Sequence, residues 1–297
     1  MNGTTTHKTK VGDYFSLVAF SHTIFAMPFA MVGFLYAIHR YDYEFSWKLL
    51  GLVVLCMIFA RNAAMGFNRY ADRDIDAQNA RTQVREIPSG KVSPNAALWF
   101  VIANCVCFIG TTYFINPICF YLSPVALSVI LGYSITKRYT ALCHLVLGLG
   151  LSLAPIGAWL AVTGRFDMFP LWYSFAVLFW VSGFDIIYAL QDEEFDRTNG
   201  LNSIPAFLGK KRALNLSRIF HVIAAVCIWL PSFLEYFGLL YYLGATAFTA
   251  LLVYQHRLVS PTDLSKVNRA FFTTNGIASV VFGTLVIADI YLTIRLF

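Results

Sequence analysis

Residues 169–200 read FPLWYSFAVLFWVSGFDIIYALQDEEFDRTNG. The first part of this stretch, 169–190, carries one charged side chain, Asp185. The ten residues after it carry Asp192, Glu193, Glu194, Asp196 and Arg197. About 20 mainly apolar residues are enough for a helix to cross a hydrocarbon core about 30 Å thick. The stretch therefore reads as a membrane span that ends in a cluster of acids. Working outward, comparable apolar runs occur at 14–38, 47–65, 96–115, 118–135, 142–163, 213–234, 237–254 and 270–294. None alternates in the way a lipid-facing barrel strand does. Backbone groups in lipid must be satisfied within their own segment, so the runs are helices. The composition agrees: 58% of the chain is hydrophobic and 13% charged, against about 25% charged in soluble domains. The expected fold class is an all-α integral membrane protein with nine transmembrane helices in one domain over 1–297. The first run is longer than a signal-peptide core and no A-x-A site follows it, so it reads as a retained span.

Basic residues set the orientation. The N-terminal segment and the connections after the even-numbered spans hold 17 of the 22 Lys and Arg. The opposite side holds Arg40, Lys48, Arg165 and Arg295, and Arg61 lies near the end of the second span. The basic side is expected to be cytoplasmic, in a cell inner membrane, and the net charge of +6 is mostly this asymmetry. No basic segment carries aromatic stacking residues outside the membrane, so a nucleic-acid partner is not expected. The six cysteines lie in or beside apolar runs at spacings that match no zinc or redox motif. They read as structural thiols.

Two long polar connections interrupt the apolar chain, 66–94 and 191–212, both on the basic side. Residues 68–91 read NRYADRDIDAQNARTQVREIPSGK, and 192–211 read DEEFDRTNGLNSIPAFLGKK. Each carries Asp-x-x-x-Asp, then Arg-Thr, then Ile-Pro and a small residue. They lie four spans apart, which is the mark of a weak internal repeat. Helical residues four apart share a face, so Asn68, Asp72 and Asp76 form one stripe, with Arg61 two turns back. Asp192 and Asp196 form the other stripe, which Asp185 and Tyr188 extend toward the membrane. Asp74, Glu193 and Glu194 lie off the stripes and read as solvated. Like charges at this spacing cost a helix about 0.2–0.5 kcal/mol per pair, so each stripe calls for a counter-charge. Mg²⁺ fits: it takes carboxylate oxygens, keeps several waters and is usually completed by substrate phosphates. Arg and Lys in the same loops suit the remaining phosphate charge.

The segment Asn68–Asp76 resembles the N-x-x-x-D-x-x-x-D motif of the UbiA family of intramembrane prenyltransferases, and Asp192–Asp196 resembles that family's second D-x-x-x-D motif. Further likenesses are Tyr188-Ala189 before the second motif, Arg81-Thr82 with Arg85 and Pro88-Ser89-Gly90, YSITKRYT at 133–140, and PIGAWLAVTG at 155–164. The family often has an acid after the motif Asn, where this chain has Arg69. The resemblance covers nearly the whole chain. It implies nine helices around a central cavity, capped by the two Asp-rich loops. It also implies transfer of a prenyl group from a polyprenyl diphosphate to an aromatic acceptor. Asn68, Asp72, Asp76, Asp192 and Asp196 would coordinate Mg²⁺ and diphosphate. Arg61, Arg73, Lys137 and Arg138 would help bind the diphosphate, with Tyr133 and Tyr188 shielding an allylic cation. Asp185, a carboxylate deep in an apolar run, reads as functional by default, to orient the acceptor hydroxyl or take the ring proton, with a structural hydrogen bond to a neighbouring helix as the alternative. His22 reads as a helix-packing residue, with acceptor contact as the alternative.

HTIFAMPFA at 22–30 and GLNSIPAFLG at 200–209 resemble the 4-hydroxybenzoate polyprenyltransferase-like branch. A naphthoate, a haem or a lipid glycerol is the alternative acceptor. A secondary transporter is the alternative from another class, but transporters place binding groups near the bilayer midplane, whereas these acids crowd one membrane face.

Overall fold

The computed structural model describes residue 17 and residues 25–294. All regular structure among them is helical. The helices are α1 (Met27–Arg40), α2 (Trp47–Ala71), α3 (Arg73–Gln78), α4 (Pro94–Tyr113), α5 (Pro117–Thr136), α6 (Cys143–Thr163), α7 (Met168–Ala189), α8 (Glu193–Thr198), α9 (Ile204–Trp229), α10 (Pro231–Leu234), α11 (Leu239–Leu258) and α12 (Asn275–Ile294). A 3₁₀ turn, Leu190–Asp192, joins α7 to α8, and a π-helical turn, Arg269–Thr274, leads into α12. His22 lies outside the described residues.

Local chemistry sets many of the starts. Ser46, Ser93, Asn116, Asp167 and Ser203 each accept a hydrogen bond from a backbone N–H in the first turn of the helix that follows. This satisfies one of the donors that a helix start leaves open. At the far end of α6, Gly164 takes the left-handed conformation (φ 63°) that a C-cap favours.

Seven segments among the described residues are long and apolar enough to cross a membrane, and the chain is an integral membrane protein. The expected nine is corrected to seven by that measure. The helix at the first expected span is described over 14 residues, as α1. The eighth expected span is present as α11, but Tyr, Thr, Gln255 and His256 dilute its hydropathy. The expected polar connection 191–212 is also partly helical: α9 begins at Ile204 and carries a non-helical break at Gly209 (φ 76°, ψ 159°).

The helix α7 is the buried centre of the bundle. Trp180, Tyr173, Val177, Val181 and Ile187 on it are fully covered, and Phe29, Phe248 and Phe282 pack around Trp180 and one another. The helix α6 runs tight against α7 at Gly148, where an added Cβ would sit 2.4 Å from the Leu178 carbonyl oxygen. Many large apolar side chains stay outside, as expected where lipid rather than water is the surroundings. Aromatics sit at the helix ends: Trp47, Tyr121, Phe233 and Tyr236 at one end of the bundle, Trp99, Tyr139 and Phe207 at the other. Such rings mark the two membrane–water interfaces.

Candidate active site

The first acid stripe survives a break in its helix. α2 stops at Ala71, and Asp72 (φ −91°, ψ 5°) both ends it and opens α3. The four-residue hydrogen bonding nevertheless continues, with Asp72 N–H to the Asn68 carbonyl at 2.9 Å and Asp76 N–H to the Asp72 carbonyl at 2.7 Å. Asn68, Asp72 and Asp76 therefore still face one way. The second stripe is built alike: Asp192 (φ −101°, ψ 3°) ends the 3₁₀ turn and opens α8, which carries the buried Asp196. The two Asp-x-x-x-Asp segments thus share a near-identical hinge followed by a six-residue helix.

Asp72, Asp76 and Asp192 each have cationic or amide partners, and Asp196 has the Ser203 hydroxyl. Asp72 is buried and meets Lys137 Nζ at 3.0 Å, Arg138 Nη2 at 3.2 Å and Asn68 Nδ2 at 3.2 Å. Arg85 Nη1 donates to both oxygens of Asp76, at 2.7 and 2.8 Å. Arg81 crosses from the first loop to the second cluster. Its Nε donates to Asp192 Oδ1 at 3.0 Å and its Nη2 to Oδ2. Its Nη1 donates to the Tyr188 hydroxyl at 3.1 Å, and the guanidinium lies 5.2 Å from the Tyr188 ring. Burial works against the charge of Arg81, but the hydrogen bonds to Asp192 outweigh it and raise its pKa. Asn79 Nδ2 adds a second bridge to Asp192 at 3.1 Å.

These groups surround a cavity of about 450 Å³. Arg61, Asn68, Asp72, Asp76, Tyr133, Lys137, Asp185, Tyr188, Asp192 and Asp196 all line it. Arg138 does not; it reaches Asp72 from behind and also donates to the Ala71 carbonyl. Arg73, expected to bind diphosphate, turns away. Its guanidinium lies over Tyr70 at 4.8 Å and pairs with the exposed Asp74. The reason is helical phase, since Arg73 is one residue beyond the inward-facing Asp72. Of the acids expected to be solvated, Asp74 and Glu194 are exposed, but Glu193 is mostly covered and paired with Arg197 at 3.3 Å.

Arg69, Arg81 and Arg85, expected only as loop cations that suit phosphate charge, also line the cavity, and Asn79, His144, Phe271 and Phe272 line it without having been singled out in the sequence. Arg81 and Arg85 lie in the same loop as the first acids, and their four-residue spacing was the available signal. Arg69, in the position of the family's second acid, pairs with Glu86 at 3.6 Å. Phe271 and Phe272 come from the π-helical turn; Phe271 packs on Tyr188 at 4.3 Å and on Phe184 at 5.2 Å. Together these rings form an aromatic wall. No sequence periodicity announces a π turn, though such turns recur at functional sites.

A second cavity of about 450 Å³ adjoins the first. Val53, Met57, Ala126, Ile130, Gly150, Ala154, Gly157 and Ala161 line it, so it is almost wholly apolar. Arg61, Met65, Tyr133, Leu147 and Leu151 belong to both walls. One charged chamber therefore meets one greasy chamber at Arg61 and Tyr133.

The donor set fits a hard divalent cation. Among the described residues no three Asp, Glu, His or Cys side chains group as a metal cage. What the site offers is carboxylates in pairs, which suits an ion that takes the rest of its shell from water and phosphate.

A profile of the UbiA prenyltransferase family matches residues 26–277. The 4-hydroxybenzoate octaprenyltransferase of Vibrio parahaemolyticus is 30% identical over 82% of this chain and 85% of its own length. The 4-hydroxybenzoate solanesyltransferase of Synechocystis is 29% identical over 82% of each. Among solved structures, a UbiA homologue from Aeropyrum pernix superposes with a TM-score of 0.80 at 31% identity, over 90% of this chain and 98% of that one. A UbiA homologue from Archaeoglobus fulgidus, solved with DMAPP and Mg²⁺, shares the fold with a TM-score of 0.75 at 23% identity, over 94% of this chain and 99% of that one.

Proposed function

Because this chain belongs to the UbiA prenyltransferase family, we propose that it transfers a prenyl group from a polyprenyl diphosphate to an aromatic acceptor of the 4-hydroxybenzoate type, in quinone biosynthesis. The observation that carries the reading is the pairing of two chambers: one lined by carboxylates and cations, one by apolar side chains, with a shared wall. A prenyl diphosphate has that same division, a charged head and a hydrocarbon tail. The curated relatives named for 4-hydroxybenzoate support the acceptor class.

Asn68, Asp72, Asp76, Asp192 and Asp196 are the residues that would hold Mg²⁺, and the structural neighbour that contains Mg²⁺ with DMAPP supports the assignment. When bound, Mg²⁺ would supply positive charge to the leaving diphosphate oxygen. The protein's own groups do the rest. Lys137, Arg81 and Arg85 line the head chamber and would take the phosphate charge that the metal leaves. Tyr133, Tyr188 and Phe271 line the junction or the wall beside it. Aromatic faces attract a cation by about 0.5–2 kcal/mol each, so these rings would shield the allylic carbon as the diphosphate departs. The apolar chamber would keep water from that carbon. Asp185, in the same cavity, would orient the acceptor hydroxyl or take the ring proton. The basic face of the chain supports a cytoplasmic side for this chemistry.

The test is incubation of the purified protein with Mg²⁺, geranyl diphosphate and a panel of aromatic acids, read by mass spectrometry. A prenylated product is expected with 4-hydroxybenzoate. Asp72→Ala and Asp192→Ala should each lower turnover by at least about 100-fold while the protein stays folded. Full turnover in both variants would remove the metal assignment. Movement of substrate across a vesicle membrane without a new covalent product would favour transport instead.

A further inference from the structure

His144 opens α6 and is buried at 3% exposure, yet it lines the head chamber beside Asp185. Its Nδ1 lies 2.7 Å from Asp185 Oδ2. Its Nε2 receives the backbone N–H of Ile204 at 3.3 Å. That second contact fixes the tautomer: Nε2 is an acceptor, so the proton sits on Nδ1 and is donated to the carboxylate. The imidazole thus holds one Asp185 oxygen and leaves the carboxylate's other side toward the cavity. Tight packing keeps this pair in register. Gly148, one turn after His144, lets α6 approach α7, and Ser182 Oγ donates to the His144 carbonyl at 3.1 Å.

The other end of the contact is the loop that follows the second acid cluster. Asn202 N–H donates to the Lys137 carbonyl at 2.7 Å, Cys143 Sγ lies 3.5 Å from the Asn202 carbonyl, and Ile204 begins α9 two residues later. The imidazole therefore ties Asp185 to the same loop whose backbone N–H groups bond to the carbonyls of Asp196 and Lys137. We infer that His144 is the positioning residue that aims Asp185 at the acceptor's ring proton, with its own ring held in place by the backbone N–H of Ile204. This deepens, and rests on, the prenyl-transfer reading.

The step balances as follows. A bond forms between the acceptor ring carbon and the allylic carbon of the donor. The allylic C–O bond breaks, and its electron pair leaves on the diphosphate. The proton on the substituted ring carbon passes to the Asp185 carboxylate, and the C–H pair restores aromaticity. His144 keeps its own proton throughout and holds the carboxylate in line.

The experiment uses the full-length protein in detergent with Mg²⁺, geranyl diphosphate and either 4-hydroxybenzoate or its 3,5-dideuterated form. The variants are His144→Leu, His144→Phe, His144→Gln and Asp185→Asn. Gln carries one donor and one acceptor at about the reach of the imidazole; Leu and Phe carry neither, and Phe keeps the ring volume if Leu leaves a gap. Diphosphate release and prenylated product are measured separately. Expected for Leu or Phe is diphosphate release within a few-fold of the parent, product kcat down by about 10-fold or more with the untransferred prenyl group recovered as the alcohol formed by capture of water, donor KM little changed, and an isotope effect on product formation that the parent lacks. Asp185→Asn should show the same pattern more strongly, and Gln should restore much of the lost kcat. An unchanged kcat and isotope effect in both apolar variants would overturn the assignment, as would a Gln variant as impaired as Phe. Absence of diphosphate release from the parent protein with every acceptor would instead sink the prenyl-transfer reading, and this inference with it.

Discussion

Asp76 is 4% exposed at its side chain, and Arg85 grips both of its oxygens. Removing one partner of a buried pair leaves an uncompensated charge, at a cost of about 3–5 kcal/mol. Arg85→Ala should therefore lower the thermal midpoint in detergent clearly, and added Mg²⁺ should recover part of the loss. Arg73→Ala is the control, because Arg73 packs on Tyr70 outside the cavity; it should change stability by no more than about 0.5 kcal/mol and the KM for donor by no more than about two-fold. The four motif acids were legible at this scale because helical spacing alone puts them on common faces. His144 was not. Its partner Asp185 is 41 residues away in sequence, and only the packing of two helices brings them together. The outward turn of Arg73 was readable, by contrast, since Arg73 lies one residue off the face that Asn68, Asp72 and Asp76 share.

At the scale of the element, two glycines of α6 make opposite predictions. Gly148 has the Leu178 carbonyl oxygen and Ser182 Oγ at 2.4 Å from an added Cβ, whereas Gly157 has nothing within 4 Å and lines the apolar chamber. Gly148→Ala should destabilise the bundle by about 1–3 kcal/mol through forced separation of α6 and α7. Gly157→Leu should fold at least as well, since Leu is the better helix former by about 1 kcal/mol. It should also fill the tail chamber, so that kcat/KM falls for long prenyl donors while dimethylallyl diphosphate is still used. Product mass after incubation with donors of graded length reads this directly. Apolar length gave away most of the helices from the sequence. Two of their interruptions did not show. The hinge at Asp72 and the π turn at Arg269–Thr274 carry no Gly or Pro to mark them, whereas the break at Gly209 falls on the residue that takes a positive φ most readily.

Across the whole molecule, basic residues gather at the face that carries both acid clusters, and aromatic side chains ring both ends. A single cysteine placed at Gly90, in the first loop on a background without the six native thiols, should react with an impermeant maleimide in inverted vesicles and not in intact cells. The reverse pattern would put the site on the outer side. The class of fold and the face that carries the chemistry follow from composition and charge. The two chambers do not, because a cavity is what packed side chains fail to fill, and no run of residues encodes it. Chelation is the matching test of the metal. EDTA should abolish product formation, yet the melting temperature of the resting protein should move by no more than a few degrees, since no described cage of ligands depends on metal.

The reach of Arg81 across to Asp192 explains why. Three of the acids that would face a metal, Asp72, Asp76 and Asp192, are paired with an ammonium or guanidinium drawn from elsewhere in the cap. Loading would then be a swap of dance partners: magnesium would take the carboxylates, and the arginines and lysine they release would be free for the phosphates. Neither guest gains much by arriving alone, so affinity for magnesium should be poor until donor is present and should sharpen steeply once it is.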